Sequence, residues 1–166
     1  MWTRTLAVAG LGLAVLASAP AAGAETEAET GLDPTGLWLA ENERSAIRVT
    51  RCPDGLCGAV AWIIEGGMQL DRKNPDPDKR ARPICGLRIL WGVEQQDDDP
   101  ADWEDGTVYK ADEGETYDVD LTVQGPDRMK VRGYVGLSLF GKSQVWTRVS
   151  SKDYPPCTPP EDSPEG

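Results

Sequence analysis

Apolar and polar residues alternate along much of this chain with the two-residue period of a β-strand. In the segment 116–123 every second residue is apolar or aromatic, namely Tyr117, Val119, Leu121 and Val123. That period places such side chains on one face of a strand. Similar runs recur between turns rich in Gly, Pro and Asp, and none has the 3.6-residue period of an amphipathic helix.

The alternating runs predict about eight strands in sequence. They cover residues 36–40, 46–51, 58–64, 87–91, 107–110, 116–123, 129–135 and 143–149, with long charged loops at 65–83 and 94–105. Eight antiparallel strands joined mostly by short turns can close into an up-and-down barrel without free edges. An open sandwich is the alternative, and the simple strand order favours the all-β antiparallel barrel.

Strand faces give a set of candidate ligand-binding residues in the barrel interior or at its mouth. The set is Trp62, Trp91, Tyr109, Tyr117, Met129, Gln144 and Trp146. These side chains either stack on a small apolar or amphipathic ligand or only pack the core and the barrel ends. A barrel of this size can be hollow or filled, and the sequence pattern is compatible with both.

The N-terminal segment predicts export. Residues 1–24 contain one positive charge, an apolar run from Leu6 to about Ala19 and small residues up to Ala24. These are the three parts of a cleavable signal peptide, and the apolar run is too short for a membrane span. We predict a periplasmic or secreted protein without a transmembrane segment after cleavage. After the signal peptide we predict three parts: a flexible acidic segment at 25–35, a barrel domain at 36–150 and a Pro-rich tail at 151–166.

The four cysteines, Cys52, Cys57, Cys85 and Cys157, all follow the predicted cleavage site. An even number in an exported chain predicts disulfides, with three possible connectivities. Cys52 and Cys57 flank a turn and either face each other across a hairpin or lie too far along it to bond. A Cys85–Cys157 bond would then fix the tail to the barrel. The spacings are not those of a zinc site.

Charge and composition restrict the function. The chain has 17 Lys+Arg, 28 Asp+Glu and no His, for a formal net charge of −11. This balance disfavours nucleic acids and anionic lipid headgroups as partners. The lack of His removes Ser-His-Asp and Cys-His catalysis and the commonest transition-metal ligand. We therefore predict a protein without a cofactor and favour a binding function over an enzymatic one, with carboxylate-based hydrolysis as the catalytic alternative that stays open.

Two acidic loops are the candidates for cation binding. In the first loop, Asp71 and Asn74 are surrounded by Lys and Arg, which favours a structured loop over a Ca²⁺ site. A buried Asp71 paired with one of these Arg would also be structural. The second loop has no cationic neighbours and is the better metal candidate through Asp97, Asp98, Asp99 and Asp102, although a solvated loop is favoured.

The first and last strands carry a pair of residues with a predicted structural role. Gly36 and Trp38 open the first strand, and Arg148 lies in the last. In lipocalin-like barrels a Gly-x-Trp on the first strand meets an Arg of the last strand at the closed base, where the Arg stacks on the Trp ring. The three residues therefore favour a lipocalin-like barrel.

An ordered set of short motifs extends this pattern along nearly the whole predicted domain. The motifs lie at 36–38, 56–58, 71–76, 82–86, 103–106, 114–117, 131–136 and 139–148, the last being Leu-Phe-Gly-x-x-Gln-x-Trp-Thr-Arg. In this set the chain resembles the bacterial domain-of-unknown-function family 2147 over roughly residues 36–149. The resemblance implies an exported bacterial protein with a lipocalin-like barrel, and it implies no activity.

Three functions from different classes are compatible with these observations. The first is a monomeric barrel that binds a small apolar or amphipathic molecule, which a cavity of a few hundred Å³ would favour. The second is a protein-binding or inhibitor-like envelope module, which a filled barrel with an apolar patch at its loops would favour. The third is a carboxylate-based hydrolase, which two close carboxylates in a cleft, one with a raised pKa, would favour.

Overall fold

A computed structural model of the protein describes residues 32–64 and 69–158, which form one closed antiparallel barrel. Its strands are β1 Gly36–Leu39, β2 Ser45–Cys52, β3 Gly55–Ile63, β4 Arg88–Gln95, β5 Asp102–Lys110, β6 Glu115–Val123, β7 Arg128–Tyr134 and β8 Lys142–Arg148. Each strand pairs with the next, and β8 pairs with β1. The prediction of an eight-stranded up-and-down barrel is confirmed.

Helical structure in the described residues is limited to two single 3-10 turns, Pro77–Lys79 and Ser138–Phe140. Neither comes near the length and apolarity that a membrane-crossing helix needs. The predicted signal peptide, the acidic segment up to residue 31 and the end of the tail from residue 159 lie outside the described residues.

The acidic loop predicted at 94–105 is shorter in the structure. Strand β4 continues to Gln95 and β5 begins at Asp102, which leaves only six residues between them. Trp103 explains the difference, because its side chain is buried in the core and its backbone pairs with both neighbouring strands. Asp105, at φ 59°, lies in the irregularity that follows before regular β5–β6 pairing resumes at Gly106. The polar composition of this segment predicted a loop where the structure has the end of β4 and the start of β5.

Inward-facing side chains from every strand form the main core. Its largest fully buried members are Trp38, Ile47, Leu56, Leu90, Leu121 and Met129. On β6 and β7 the inward residues recur at every second position, as the alternation predicted. Each large apolar side chain buried in this way contributes roughly 1.5–3 kcal/mol.

One end of the barrel is closed by Trp38 and Arg148. Trp38 is fully buried, and its indole N–H donates to the carbonyl oxygen of Pro34 at 2.8 Å. The Arg148 guanidinium carbon lies 4.2 Å from the centroid of the Trp38 ring, so the expected stacking contact is present. The guanidinium also donates to three main-chain carbonyl oxygens, those of Asp33, Thr35 and Pro126.

Gly36 is required beside this contact. Its φ of 130° is in the region that favours glycine, and a Cβ there would clash with Nη1 of Arg148. The Gly-x-Trp motif therefore combines a fully buried ring with the backbone position that lets the arginine approach it.

We expect Arg148→Ala to lower the free energy of unfolding by about 2–3 kcal/mol, because it removes the ring contact and leaves three carbonyl oxygens without their charged donor. Urea unfolding followed by tryptophan fluorescence measures the loss. Arg88→Ala is the control, since Arg88 is exposed on β4 and should change stability by no more than about 0.5 kcal/mol. Equal losses for the two variants would contradict a closing role for Arg148.

Both predicted disulfides are formed. Cys52–Cys57 spans the turn between β2 and β3, and Cys85–Cys157 joins the loop before β4 to the C-terminal segment. No described cysteine is free. Of the three connectivities open to the sequence, the structure therefore has the one that pairs the hairpin cysteines with each other.

The C-terminal segment 151–158 covers part of the outer barrel wall. Tyr154 packs edge-on against Trp62 with ring centroids 4.9 Å apart, and the amide of Cys157 donates to the carbonyl oxygen of Ala61 at 2.7 Å. The outer cluster around them is Leu37, Leu39, Ala46, Ala61, Trp62, Val149 and Tyr154. The first half of the predicted tail is thus packed against the domain.

Candidate functional site: an open barrel cavity

The end of the barrel opposite Trp38 is open. It is surrounded by the four loops that join β1 to β2, β3 to β4, β5 to β6 and β7 to β8. A cavity of about 740 Å³ extends from this opening into the barrel. Cavities that hold small ligands generally measure about 300–1,000 Å³. The barrel interior is therefore hollow near the open end and filled by side chains near the end closed by Trp38.

The cavity wall is mainly aliphatic, with one indole. Its inner members are Ile47, Val60, Ile84, Ile89, Val108, Val131 and Trp146. The Trp146 indole N–H donates to Oε1 of Gln144 at 3.1 Å, so the indole donor has an acceptor within the wall. Gly133 also faces the cavity, and a Cβ there would meet no neighbour closer than 4.0 Å. The missing side chain at this position is part of the open space.

Four of the seven predicted ligand-binding residues line the cavity: Tyr109, Tyr117, Gln144 and Trp146. Met129 faces inward as expected, but it is fully buried in the core and is not part of the lining. The structure therefore brings together the candidates from β5, β6 and β8, whereas Met129 lies in the core nearer to the closed end.

The interior position predicted for Trp62 is wrong. Ile47 pairs with Val60 while the preceding residue Ala46 pairs with Trp62, so a bulge in β3 shifts the register by one residue. Ile63 consequently lines the cavity, and Trp62 joins the outer cluster. A single inserted residue reverses the face of everything beyond it in the strand.

Trp91 also lies away from the cavity. Leu90 and Val93 are both fully buried in the core, and Gly92 between them has a φ of 68°. Trp91 is half-buried and belongs neither to the core nor to the cavity lining. The irregular pairing of β3 with β4 therefore overrides the simple alternation here as well.

The rim of the cavity is charged. Lys110 donates to Glu113 at 2.6 Å and to Asp112 at 3.0 Å, and the Tyr117 hydroxyl donates to Glu113 at 2.7 Å. The hydrogen bond from Lys110 is the main cause that lowers the pKa of the Glu113 carboxyl. Arg44 and Lys142 complete the rim. Of these rim residues only Tyr117 was predicted, because the others lie in loops or at strand ends, where the alternation carries no signal.

A buried carboxylate anchors the long loop that joins β3 to β4. Asp71 is fully buried and accepts hydrogen bonds from the Tyr109 hydroxyl at 2.6 Å, from Nδ2 of Asn74 at 2.8 Å and from Nε of Arg82 at 2.9 Å. The Arg82 guanidinium carbon also lies 5.6 Å from the Tyr109 ring centroid. Three donors occupy the carboxylate, so this loop is a structural anchor beside the opening and not a cation site.

Tyr109 should keep its proton to high pH. Burial, and then the hydrogen bond to Asp71, raises its pKa from 10.0 to about 12. An unfolded tyrosine ionises near pH 10, so the stabilisation from Tyr109 is complete below pH 10 and is lost as the pH rises to about 12. Because Tyr134 also has a pKa of about 12, ultraviolet titration should show at least two late tyrosines. In Tyr109→Phe one fewer should remain, and an unchanged late phase would contradict this.

The second acidic loop holds no preformed cation site. Asp99 caps its own turn, accepting from the amide of Ala101 at 2.9 Å. Within residues 32–64 and 69–158, no three carboxylates of this loop bring oxygens within 4.8 Å of one another. Among the described residues, the one group of three potential metal ligands within that distance is Cys52, Asp54 and Cys57 at the β2–β3 turn. Its two sulfurs form a disulfide.

Among residues 32–64 and 69–158, no two carboxylates form a hydrolase-like pair in the cavity. Burial, followed by the charge of Asp120, raises the pKa of Glu104, but Glu104 is exposed on β5 and does not line the cavity. The two rim carboxylates, Asp112 and Glu113, are both bonded to Lys110.

Comparison with known proteins identifies two similarities. The model of a bacterial family described as "Uncharacterized protein conserved in bacteria (DUF2147)" matches residues 36–148, which agrees with the resemblance of the motifs. Protein HP1028 from the human pathogen Helicobacter pylori, described as belonging to the lipocalin family, superposes with a TM-score of 0.65 at 18% identity, over 74% of this chain and 86% of that one. No functionally curated protein matches. At this identity the superposition shows the fold alone.

Proposed function

This chain belongs to the DUF2147 family of bacterial proteins, and from its structure we propose that it binds a small apolar or amphipathic molecule inside its barrel. The observation that carries the proposal is the cavity of about 740 Å³, which has an aliphatic wall and opens at one end only. The lipocalin-like architecture supports it, because barrels of this size can enclose one small ligand.

The chemistry of the cavity indicates the kind of molecule. Its depth is lined mainly by aliphatic side chains, which offer no hydrogen bonds, and the side-chain oxygen of Gln144 already accepts from Trp146. Its rim carries the charged groups of Arg44, Lys110 and Lys142 together with two carboxylates. A ligand with an apolar body and a polar end would place each part in matching surroundings.

We further propose that the protein works as a monomer in the periplasm or outside the cell. Two disulfides support this location, since such bonds persist in oxidising compartments. The signal-peptide pattern at residues 1–24 supports it independently. N-terminal sequencing of the protein recovered from an envelope extract tests the location, and a chain that retains residue 1 in the cytoplasm would overturn it.

Binding is tested with N-phenyl-1-naphthylamine, a neutral apolar dye that becomes fluorescent out of water. Wild-type protein should bind the dye at one saturable site. Gly133→Phe should weaken binding at least about tenfold, because the new ring occupies the open space beside Tyr117. Gly133→Ala adds only a methyl group and is the matched control, with at most a small effect.

Two outcomes would overturn the binding proposal. One is a wild-type protein that leaves the dye dark, and the other is equal affinity in Gly133→Phe, provided that unfolding curves show both proteins folded. Native mass spectrometry of protein purified without detergent supplies an independent measurement. A stoichiometric bound molecule in the wild type and its loss in Gly133→Phe are the expected results.

A further inference from the structure

The loop between β7 and β8 exposes an unusual number of large apolar side chains. Val135, Leu137, Leu139 and Phe140 are each 66–80% exposed within six residues. In the described part of the chain only two other large apolar side chains are exposed, Leu32 at 37% near the closed end and Ile64 at 52%. We call residues 135–141 the apolar loop.

The apolar loop is held in place by polar contacts at its base. Arg132 donates from Nε to the carbonyl oxygen of Ser138 at 2.8 Å and from Nη2 to that of Leu139 at 3.1 Å. Asp120 accepts from the Ser138 hydroxyl at 3.1 Å and from the Tyr134 hydroxyl at 3.0 Å. The exposure of the apolar side chains therefore belongs to a defined conformation whose polar groups face the barrel.

The position of the apolar loop relates it to the cavity. Val135 and Phe140 line the opening as well as being exposed, so the apolar surface of the loop continues into the cavity wall. In the closed order of strands, the β3–β4 connection lies across the opening from the β7–β8 connection, which places Ile64 on the opposite side of the rim. Apolar groups thus flank the mouth on two sides.

The charge of the loop suits an uncharged surface. The segment 135–142 contains no acidic residue and one Lys, in a chain whose formal net charge is −11. The nearby carboxylates of Asp118 and Asp120 both accept hydrogen bonds from the loop. Asp118 accepts from the amide of Gly136, and Asp120 accepts from the hydroxyl of Ser138. The net charge opposes approach to an anionic surface, whereas a zwitterionic surface exerts no such repulsion.

We propose that the apolar loop inserts into the interface of a zwitterionic phospholipid bilayer and so docks the barrel with its open end toward the lipid. Apolar side chains of peripheral proteins enter roughly 5–10 Å into the headgroup–acyl boundary, a depth that one protruding loop can span. This inference goes beyond ligand binding, because docking requires no occupant in the cavity.

The test is cosedimentation with phosphatidylcholine vesicles. Wild-type protein should partition onto the vesicles, and Leu137→Ser/Leu139→Ser should lower the partition coefficient about tenfold or more for each side chain removed. Leu32→Ser is the matched control, since it removes an exposed leucine near the closed end and should leave partition unchanged. All proteins share one N-terminus, so any contribution from the residues before 32 cancels.

Separate measurements distinguish this proposal from the one on ligand binding. Neither Leu137 nor Leu139 lines the cavity, so the double variant should bind N-phenyl-1-naphthylamine as the wild type does. Docking is overturned if wild-type protein stays in the supernatant or if the double variant partitions equally. It is also overturned if the loop instead forms a dimer, with wild type dimeric by light scattering and the double variant monomeric.

Discussion

Asp71→Ala is expected to lower the free energy of unfolding by about 3–5 kcal/mol. The substitution removes the acceptor Oδ1 from the Tyr109 hydroxyl and the acceptor Oδ2 from Nδ2 of Asn74 and Nε of Arg82. Each of these donors is buried or half-buried, so losing the acceptor costs desolvation that nothing replaces. Urea unfolding gives the total loss, and amide hydrogen exchange shows whether the loop between β3 and β4 opens before the barrel.

Asp78→Ala is the matched control for this experiment. Asp78 belongs to the same loop but is exposed, and its removal should cost no more than about 0.5 kcal/mol. Asp71→Asn keeps the shape of the side chain and loses the charge, so we expect a loss between those of the two alanine variants. If Asp71→Ala were as stable as Asp78→Ala, the four-residue cluster would not be what holds the loop.

Removing the Cys85–Cys157 disulfide by Cys85→Ala/Cys157→Ala should cost about 4 kcal/mol, because the bond closes a long segment and restricts the unfolded chain. The two cysteines are separated by 72 positions, against five for Cys52 and Cys57. The same relation gives about 2 kcal/mol for Cys52→Ala/Cys57→Ala, which serves as the comparison.

The two double variants also test how the C-terminal segment is held. If the bond alone fixes it, loss of the bond should expose Trp62, and added iodide should quench the fluorescence of the variant more than that of the wild type. Packing of Tyr154 on Trp62 opposes this exposure. Equal stability losses for the two double variants would show that packing, and not the covalent link, restrains the segment.

The barrel was predictable from the sequence because its period is local. On β6 the residues Val119, Leu121 and Val123 alternate without interruption, and all three are buried in the core. Gly36, Trp38 and Arg148 indicated the closed end because they match the Gly-x-Trp and Arg pattern of lipocalin-like barrels, and the contact between Trp38 and Arg148 confirms it. Trp62 and Trp91 were misplaced because a bulge reverses strand faces and leaves no mark in composition.

The cavity was beyond the reach of the sequence. Whether a barrel is hollow depends on the total volume of the side chains that point inward. Some of these side chains, such as Ile84 and Phe140, come from the connections between strands. The open space beside Gly133 depends on its neighbours in three dimensions, the nearest of which lie 4.0 Å away on β6. The Asp71 cluster, in contrast, was anticipated as a possible structural pair because the arginines were near in sequence.

The pairing of β1 with β8 has a consequence for the order of events in folding. The first and last strands are neighbours, joined through Trp38–Arg148 and Leu39–Thr147, so the contact that completes the sheet spans more than a hundred residues of chain. Contacts of such long sequence separation make folding slow, on the scale of milliseconds to seconds for β-rich domains. A nascent chain therefore cannot finish its barrel until Arg148 has been synthesised.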